Sequence, residues 1–254
     1  MNYKPILIVG GEPNSVFLEI FFKIFKLKKI NSPIILIASE KILKKQMEKL
    51  NFKRKTNLLK PNDILNKKIN NSLINLINVN FDQKNAFEKI SKKSNKFIEE
   101  SFNVAFEIIK KKKIKKFING PISKKTFLSK KYLGITEYIS NKFSSDKNCM
   151  LIYNKNLSVC PITTHLPLKQ VAKNINKKII KQKITLINNF YMKNFGYKPK
   201  IAVLGLNPHC ESVHKFNEDA KIILPVIKNL KKKYRIYGPF PADTIFIKNI
   251  RKKY

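Results

Sequence analysis

The chain has 254 residues, of which 53 are lysine or arginine and 16 acidic, giving a formal charge of +37. That length supports one large or two moderate domains with a buried core, and no apolar stretch approaches the ~20 residues needed to cross a bilayer. The charge invites a nucleic-acid partner, but arginine, whose planar fork suits phosphates and base edges, occurs only at Arg54, Arg235 and Arg251, and lysine, asparagine and isoleucine are inflated together along the chain, so that role is disfavoured.

The opening MNYKPILIVGGEP lacks the pattern of a secretory signal, and a cytoplasmic protein is expected. Pro5 to Val9 reads as a strand closed by Gly10-Gly11, and Val16 to Phe25 as a helix with Ser15 as N-cap. No G-x-G-x-x-G follows, so a Rossmann-type dinucleotide site is not supported. Pro33 to Ala38 is a second strand, Ser39 to Leu50 a lysine-rich helix, Lys53 to Asn71 a polar surface excursion, and Leu73 to Val79 a further strand. Ala86 to Ile109 reads as one long helix, with Ile90, Phe97, Ile98, Phe102, Ala105, Phe106 and Ile109 on one stripe.

Lys116 to Asn119 leads into NGPISK, and Leu133 to Asn141 starts another helix. Cys149 to Tyr153 and Leu157 to Ile162 read as paired strands across Asn154-Lys155-Asn156. The cysteines, Cys149, Cys160 and Cys210, form no C-x-x-C pair and fit a reducing compartment; the first two sit in apolar runs and read as core. Lys178 to Phe195 and Asn217 to Lys232 are helical patterns flanking the apolar strand Ile201 to Leu206. The alternation of strand and helix gives an α/β class with a largely parallel sheet.

His165 and His209 each follow an expected strand end, the edge where open α/β sheets build ligand sites. Neutral imidazoles bind divalent metals, and a catalytic site commonly takes three protein ligands with one position open. From spacing alone the pair reads equally as two ligands or as two unrelated loop residues. His214 is a third ligand by type, or a solvated or capping residue.

TTHLPL at Thr163 to Leu168, LGLNPH at Leu204 to His209, GPFPADT at Gly238 to Thr244 and the NGPISK segment resemble, in order and spacing, the 4-hydroxythreonine-4-phosphate dehydrogenase family of pyridoxal phosphate biosynthesis. The resemblance runs nearly from end to end. It implies a layered α/β/α fold like isocitrate and isopropylmalate dehydrogenases in two subdomains, residues 1–128 and 129–254, the second carrying the histidines and a homodimer surface. It also implies NAD as oxidant and a divalent metal (Zn, Mg or Co) held by three histidines, two of which match His165 and His209. Thr136 matches a substrate-binding threonine. Asp243 corresponds to a carboxylate orienting the site and Lys124 to a polar contact; no residue carries over to the nicotinamide. The implied reaction is metal-assisted oxidation and decarboxylation of 4-phosphooxy-L-threonine to 3-amino-2-oxopropyl phosphate, in which the cation lowers the pKa of the substrate hydroxyl and stabilises the enolate left by loss of CO₂.

Three departures accompany the match. The family's G-D-P-A-G-I-G-P-E becomes Gly11 to Glu19 with two glycines fewer, and its G-H-T-E becomes Gly134-Ile135-Thr136-Glu137. The family's M-Y-H-D-Q strand, whose histidine is the third ligand, has no counterpart before Tyr254, so a C-terminally shortened member holding two of three ligands is expected. His214 corresponds to a different family histidine. The alternatives are a related dehydrogenase acting on another phosphorylated or carboxylated hydroxy acid, and a non-catalytic basic binding protein on the same fold.

Overall fold

A computed structural model describes residues 4–27, 30–64, 69–112, 114–129, 131–143, 148–211 and 216–254. The chain divides into two compact units, Met1–Phe143 and Ser144–Tyr254. The first runs beyond residue 128 because Tyr132, Tyr138 and Phe143 all pack into its core.

The first unit is built on a five-stranded parallel sheet. Its strands are β1 (Ile6–Val9), β2 (Ile34–Ala38), β3 (Thr56–Leu58), β4 (Ile74–Asn78) and β5 (Phe117–Asn119), in spatial order β3-β4-β2-β1-β5. Period-two alternation sends successive side chains to opposite faces. Leu7, Val9, Ile35 and Ile37 pack beneath α3 (Asn95–Lys112), while Ile8, Leu36 and Leu76 pack with α1 (Phe17–Leu27) and α2 (Glu40–Lys49). Covered on both faces, β1 and β2 read as continuous apolar runs. Ser39 caps α2 by accepting from Ile42 N, while Ser15, the expected cap of α1, stands one residue before the cap position and accepts from Phe17 N.

Two expectations need correction here. The stretch from Lys53 to Asn71 includes the edge strand β3, and its Leu59 and Ile64 are buried. The long helix begins only at Asn95, preceded by a short 3₁₀ turn, and Ile90 is exposed. Tertiary hydrogen bonds override propensity there: Asn14 Oδ1 accepts from Glu88 N, and Gln46 Nε2 donates to the Ala86 carbonyl, so these groups are withdrawn from a helix ladder.

The second unit contains α5 (Leu168–Asn174), α6 (Lys177–Phe195), β6 (Ile201–Leu204), α7 (Leu224–Leu230), β7 (Ile236–Phe240) and α8 (Lys248–Arg251). β6 and β7 pair in parallel, and Ile180, Ile184, Ile223, Val226, Ile227 and Ile236 form the centre of the core. The expected hairpin reduces to a single antiparallel bridge, Ile152 with Val159. The helix expected from Asn217 to Lys232 is a wide π turn, Asp219–Ile223, running into α7. Pro225 lies at the junction and has no N–H to donate, which favours a local change of winding.

Candidate active site

In the first unit the loops at the carboxyl ends of β1 and β5 lie against each other, and glycine makes this possible. Gly11 has φ +75°, and a Cβ on it would stand 2.4 Å from the Pro121 carbonyl oxygen; one on Gly120 would stand 2.1 Å from the Gly10 carbonyl oxygen. Glu12 N donates to Pro121 O at 2.8 Å and Gly120 N to Val9 O at 2.7 Å. The glycines after β1 therefore admit a neighbouring loop. Glu12, which sequence reasoning passed over, is 2% exposed and accepts from Ser94 Oγ at 2.8 Å and Asn14 N at 3.2 Å. Its signal was an acid directly after a strand-ending glycine pair.

Lys124 follows this rim, exposed, as the first residue of a π turn capped by Ser123. Thr136 is half-buried in the first turn of α4 (Ile135–Lys142). Ile135 beside it packs against the first core, so the isoleucine has an apolar environment to fill.

In the second unit, His209 lies just past β6 and Asp243 just past the neighbouring parallel strand β7, so both sit beyond the carboxyl ends of adjacent strands. The Pro208–Cys210 turn packs against β7. Both His209 and Asp243 are exposed, and Asp243 Oδ1 accepts from Thr244 N at 2.8 Å. His165 is also exposed, but the described residues immediately before it are irregular, so the expected strand there is not formed. What converges is the chain leading to each histidine: Ile162 and Leu206 pack on the same core, and Thr163 and Gly205 line one cavity of about 510 Å³. His165 and His209 also share a backbone conformation that side chains rarely adopt, with φ +59° and +56°. His214 lies outside the described residues.

The second residue missed from sequence is Asp219. It is 1% exposed and accepts from Leu206 N at 2.7 Å, Asn207 N at 3.0 Å and Asn207 Nδ2 at 2.9 Å. It thus fixes the LNPH loop from across the unit. Burial, then the Asp219 charge, pushes the Cys210 thiol up, with Glu211 and Asp243 acting in the same sense. Asp219→Ala is expected to cost about 3 kcal/mol, because charge-assisted bonds are lost and buried donors left unpaired; chemical denaturation measures it.

Among the described residues no group of three or more His, Cys, Asp or Glu side chains is placed to hold a metal. The donors suited to a divalent cation by sequence match are His165 and His209, two of the three that a catalytic site commonly takes from the protein. Lys124 and Thr136 belong to the first unit, and His165, His209 and Asp243 to the second.

The family model described as pyridoxal phosphate biosynthetic protein PdxA matches residues 29–254. A 4-hydroxythreonine-4-phosphate dehydrogenase from Sulfurihydrogenibium sp. is 34% identical over 251 residues, covering 95% of this chain and 75% of the relative. One from Hydrogenobaculum sp. is 38% identical over 141 residues, 54% of this chain and 44% of the relative. The solved 4-hydroxythreonine-4-phosphate dehydrogenase of Klebsiella pneumoniae superposes with a TM-score of 0.82 at 21% identity, covering 100% of this chain and 79% of that one.

Proposed function

The chain belongs to the PdxA family of pyridoxal phosphate biosynthesis, and from that membership we propose that it takes part in the NAD-dependent oxidation and decarboxylation of 4-phosphooxy-L-threonine to 3-amino-2-oxopropyl phosphate. The observation that supports the site assignment is the match of TTHLPL and LNPH to the family's motifs; the positive φ of both histidines, found also at Asn51, Ser129 and Cys210, agrees with it. Such conformations cost of order 1–3 kcal/mol each and cluster at functional sites.

His165 and His209 are two donors to a divalent cation of the zinc, magnesium or cobalt class. Such a cation, when bound, polarises the substrate hydroxyl oxygen. Thr136, half-buried at a helix start, offers a hydroxyl to the substrate, and the exposed Lys124 ammonium offers a cation to its anionic groups. Asp243, past the strand beside that of His209, orients the site electrostatically. The protein works as a cytoplasmic homodimer, with the second unit supplying the dimer surface.

The reading is tested by NADH formation from 4-phosphooxy-L-threonine and from a panel of other phosphorylated and carboxylated hydroxy acids, with divalent metal present. Turnover of the first compound above the panel is the expected result. Another substrate preferred over it would favour the related-dehydrogenase reading, for which Ile135 is the specific observation. Ile135→His restores a donor for an anionic group and is expected to lower KM for the phosphorylated substrate about tenfold, the worth of one charge-assisted hydrogen bond.

A further inference from the structure

The cavity of about 510 Å³ lies wholly within the second unit. One wall is α6, where Ile180, Ile184 and Ile187 recur at helical spacing and line it together with Lys183. Lys183 thus holds a place in the stripe that the pattern assigns to an apolar residue, and it is only 8% exposed. Another wall is β6, all four of whose apolar residues line the cavity and stay half-buried. None of Lys124, Thr136, His165, His209 and Asp243 lines it.

Charge around this cavity has one sign. Lys155, Lys183, Lys200 and Arg251 line it, and among the described residues no aspartate or glutamate does. Lys155, Lys200 and Arg251 are exposed, so solvent and salt screen them, whereas Lys183 is buried. Lys183 enters no ion pair among the described residues. The groups its charge reaches are the thiols of Cys149 and Cys160, weak acceptors beside a carboxylate. Taking an ammonium out of water without a counter-charge is unfavourable, and an anion entering beside Lys183 supplies the charge that the fold does not.

We propose that this cavity binds a small monocarboxylate with an aliphatic tail, its carboxylate on the Lys183 ammonium and its tail against the isoleucines of α6 and the apolar side chains of β6. The volume falls within the roughly 300–1,000 Å³ of small-molecule pockets, which are mostly apolar with a few placed polar groups. The apolar walls give an anion without a tail nothing to bury. One buried cation matches one negative charge, and the second charge of a phosphate monoester would be desolvated without a partner. The site is therefore a different one from that of the polar phosphorylated substrate.

Isothermal titration of the full chain with octanoate, 1-octanol and acetate tests the proposal. Octanoate is expected to bind as a single molecule per chain and about tenfold or more tighter than octanol, the worth of a charge-assisted hydrogen bond. Acetate should give no binding at the same concentrations. Lys183→Met, similar in length but uncharged, should weaken octanoate about tenfold or more and leave octanol within about twofold, while Lys183→Arg keeps the preference for the anion. Lys155→Met, at an exposed lysine of the same lining, should change octanoate affinity less than about twofold. Denaturation midpoints show whether each variant is folded, and the comparison of octanoate with octanol on the unaltered chain stands without them. Octanol bound as tightly as octanoate, octanoate affinity unchanged in folded Lys183→Met, or no octanoate binding by a chain that sedimentation shows to be covered by a second copy overturns the proposal.

Discussion

Replacing both His165 and His209 with alanine is expected to lower affinity for a divalent cation at least ~100-fold, since outer partners of metal ligands alone cost 10–100-fold. NADH formation should fall with it. Both side chains are exposed, so fold stability should move by no more than ~0.5 kcal/mol, which separates loss of a ligand from loss of structure. Isothermal titration with zinc or cobalt reads the affinity, and chemical denaturation the stability. Unchanged metal affinity in the double variant would leave the two histidines as unrelated loop residues.

Phe102→Ala is expected to destabilise the first unit by about 3–5 kcal/mol. Phe102 is 0% exposed and lies on the sheet-facing side of α3. Its ring centroid is 5.4 Å from that of Tyr138, 5.8 Å from that of Phe106, and 6.2 Å from those of Phe117 and Phe127. The deletion therefore opens a cavity where α3, β5 and α4 meet and removes favourable ring pairs as well as apolar area. Tyr138 contributes to the same junction, and burial, with the Glu99 and Tyr132 charges adding to it, pushes its phenol up to about 12. Chemical denaturation of the full chain measures the loss. A loss below 1 kcal/mol would mean that the aromatic junction is not central to the first unit.

Much of this architecture is legible in the chain because its local signals agree with its packing. ILIV and PIILIA are apolar on both faces and are parallel strands buried on both faces, and LINLINV keeps enough of that pattern to be a third despite Asn75 and Asn78. The helical pattern runs past the observed start of α3 because residues 86–94 carry acceptable helical composition while backbone groups among them answer to Asn14 and Gln46. Those partners lie 74 and 40 residues away, beyond any periodicity. The hairpin pattern exceeds the structure in a similar way: alternating apolar residues satisfy the pattern, but among the described residues there only Ile152 and Val159 form a bridge.

For function, the motifs point to His165, His209, Asp243, Lys124 and Thr136 by type and order. They did not reveal that both histidines adopt left-handed backbone, a property fixed by the folded loop. Nor could they reveal Asp219, whose carboxylate reaches Leu206 and Asn207 from 13 and 12 residues downstream. Buried acids that hold a loop have no spacing rule; they are found only when the loop's donors are traced to their acceptors. Gly11 and Gly120 show the same limit, since each glycine is explained by the carbonyl of the other loop.

The most direct test of the account is reduction of NAD by the purified chain with 4-phosphooxy-L-threonine and a divalent cation. The prediction is metal-dependent NADH formation that is abolished by chelation and by the His165→Ala/His209→Ala double variant. No NADH from this substrate under any divalent cation, together with tight and steeply salt-dependent binding of nucleic acid, would contradict it and favour a basic binding protein on the same fold.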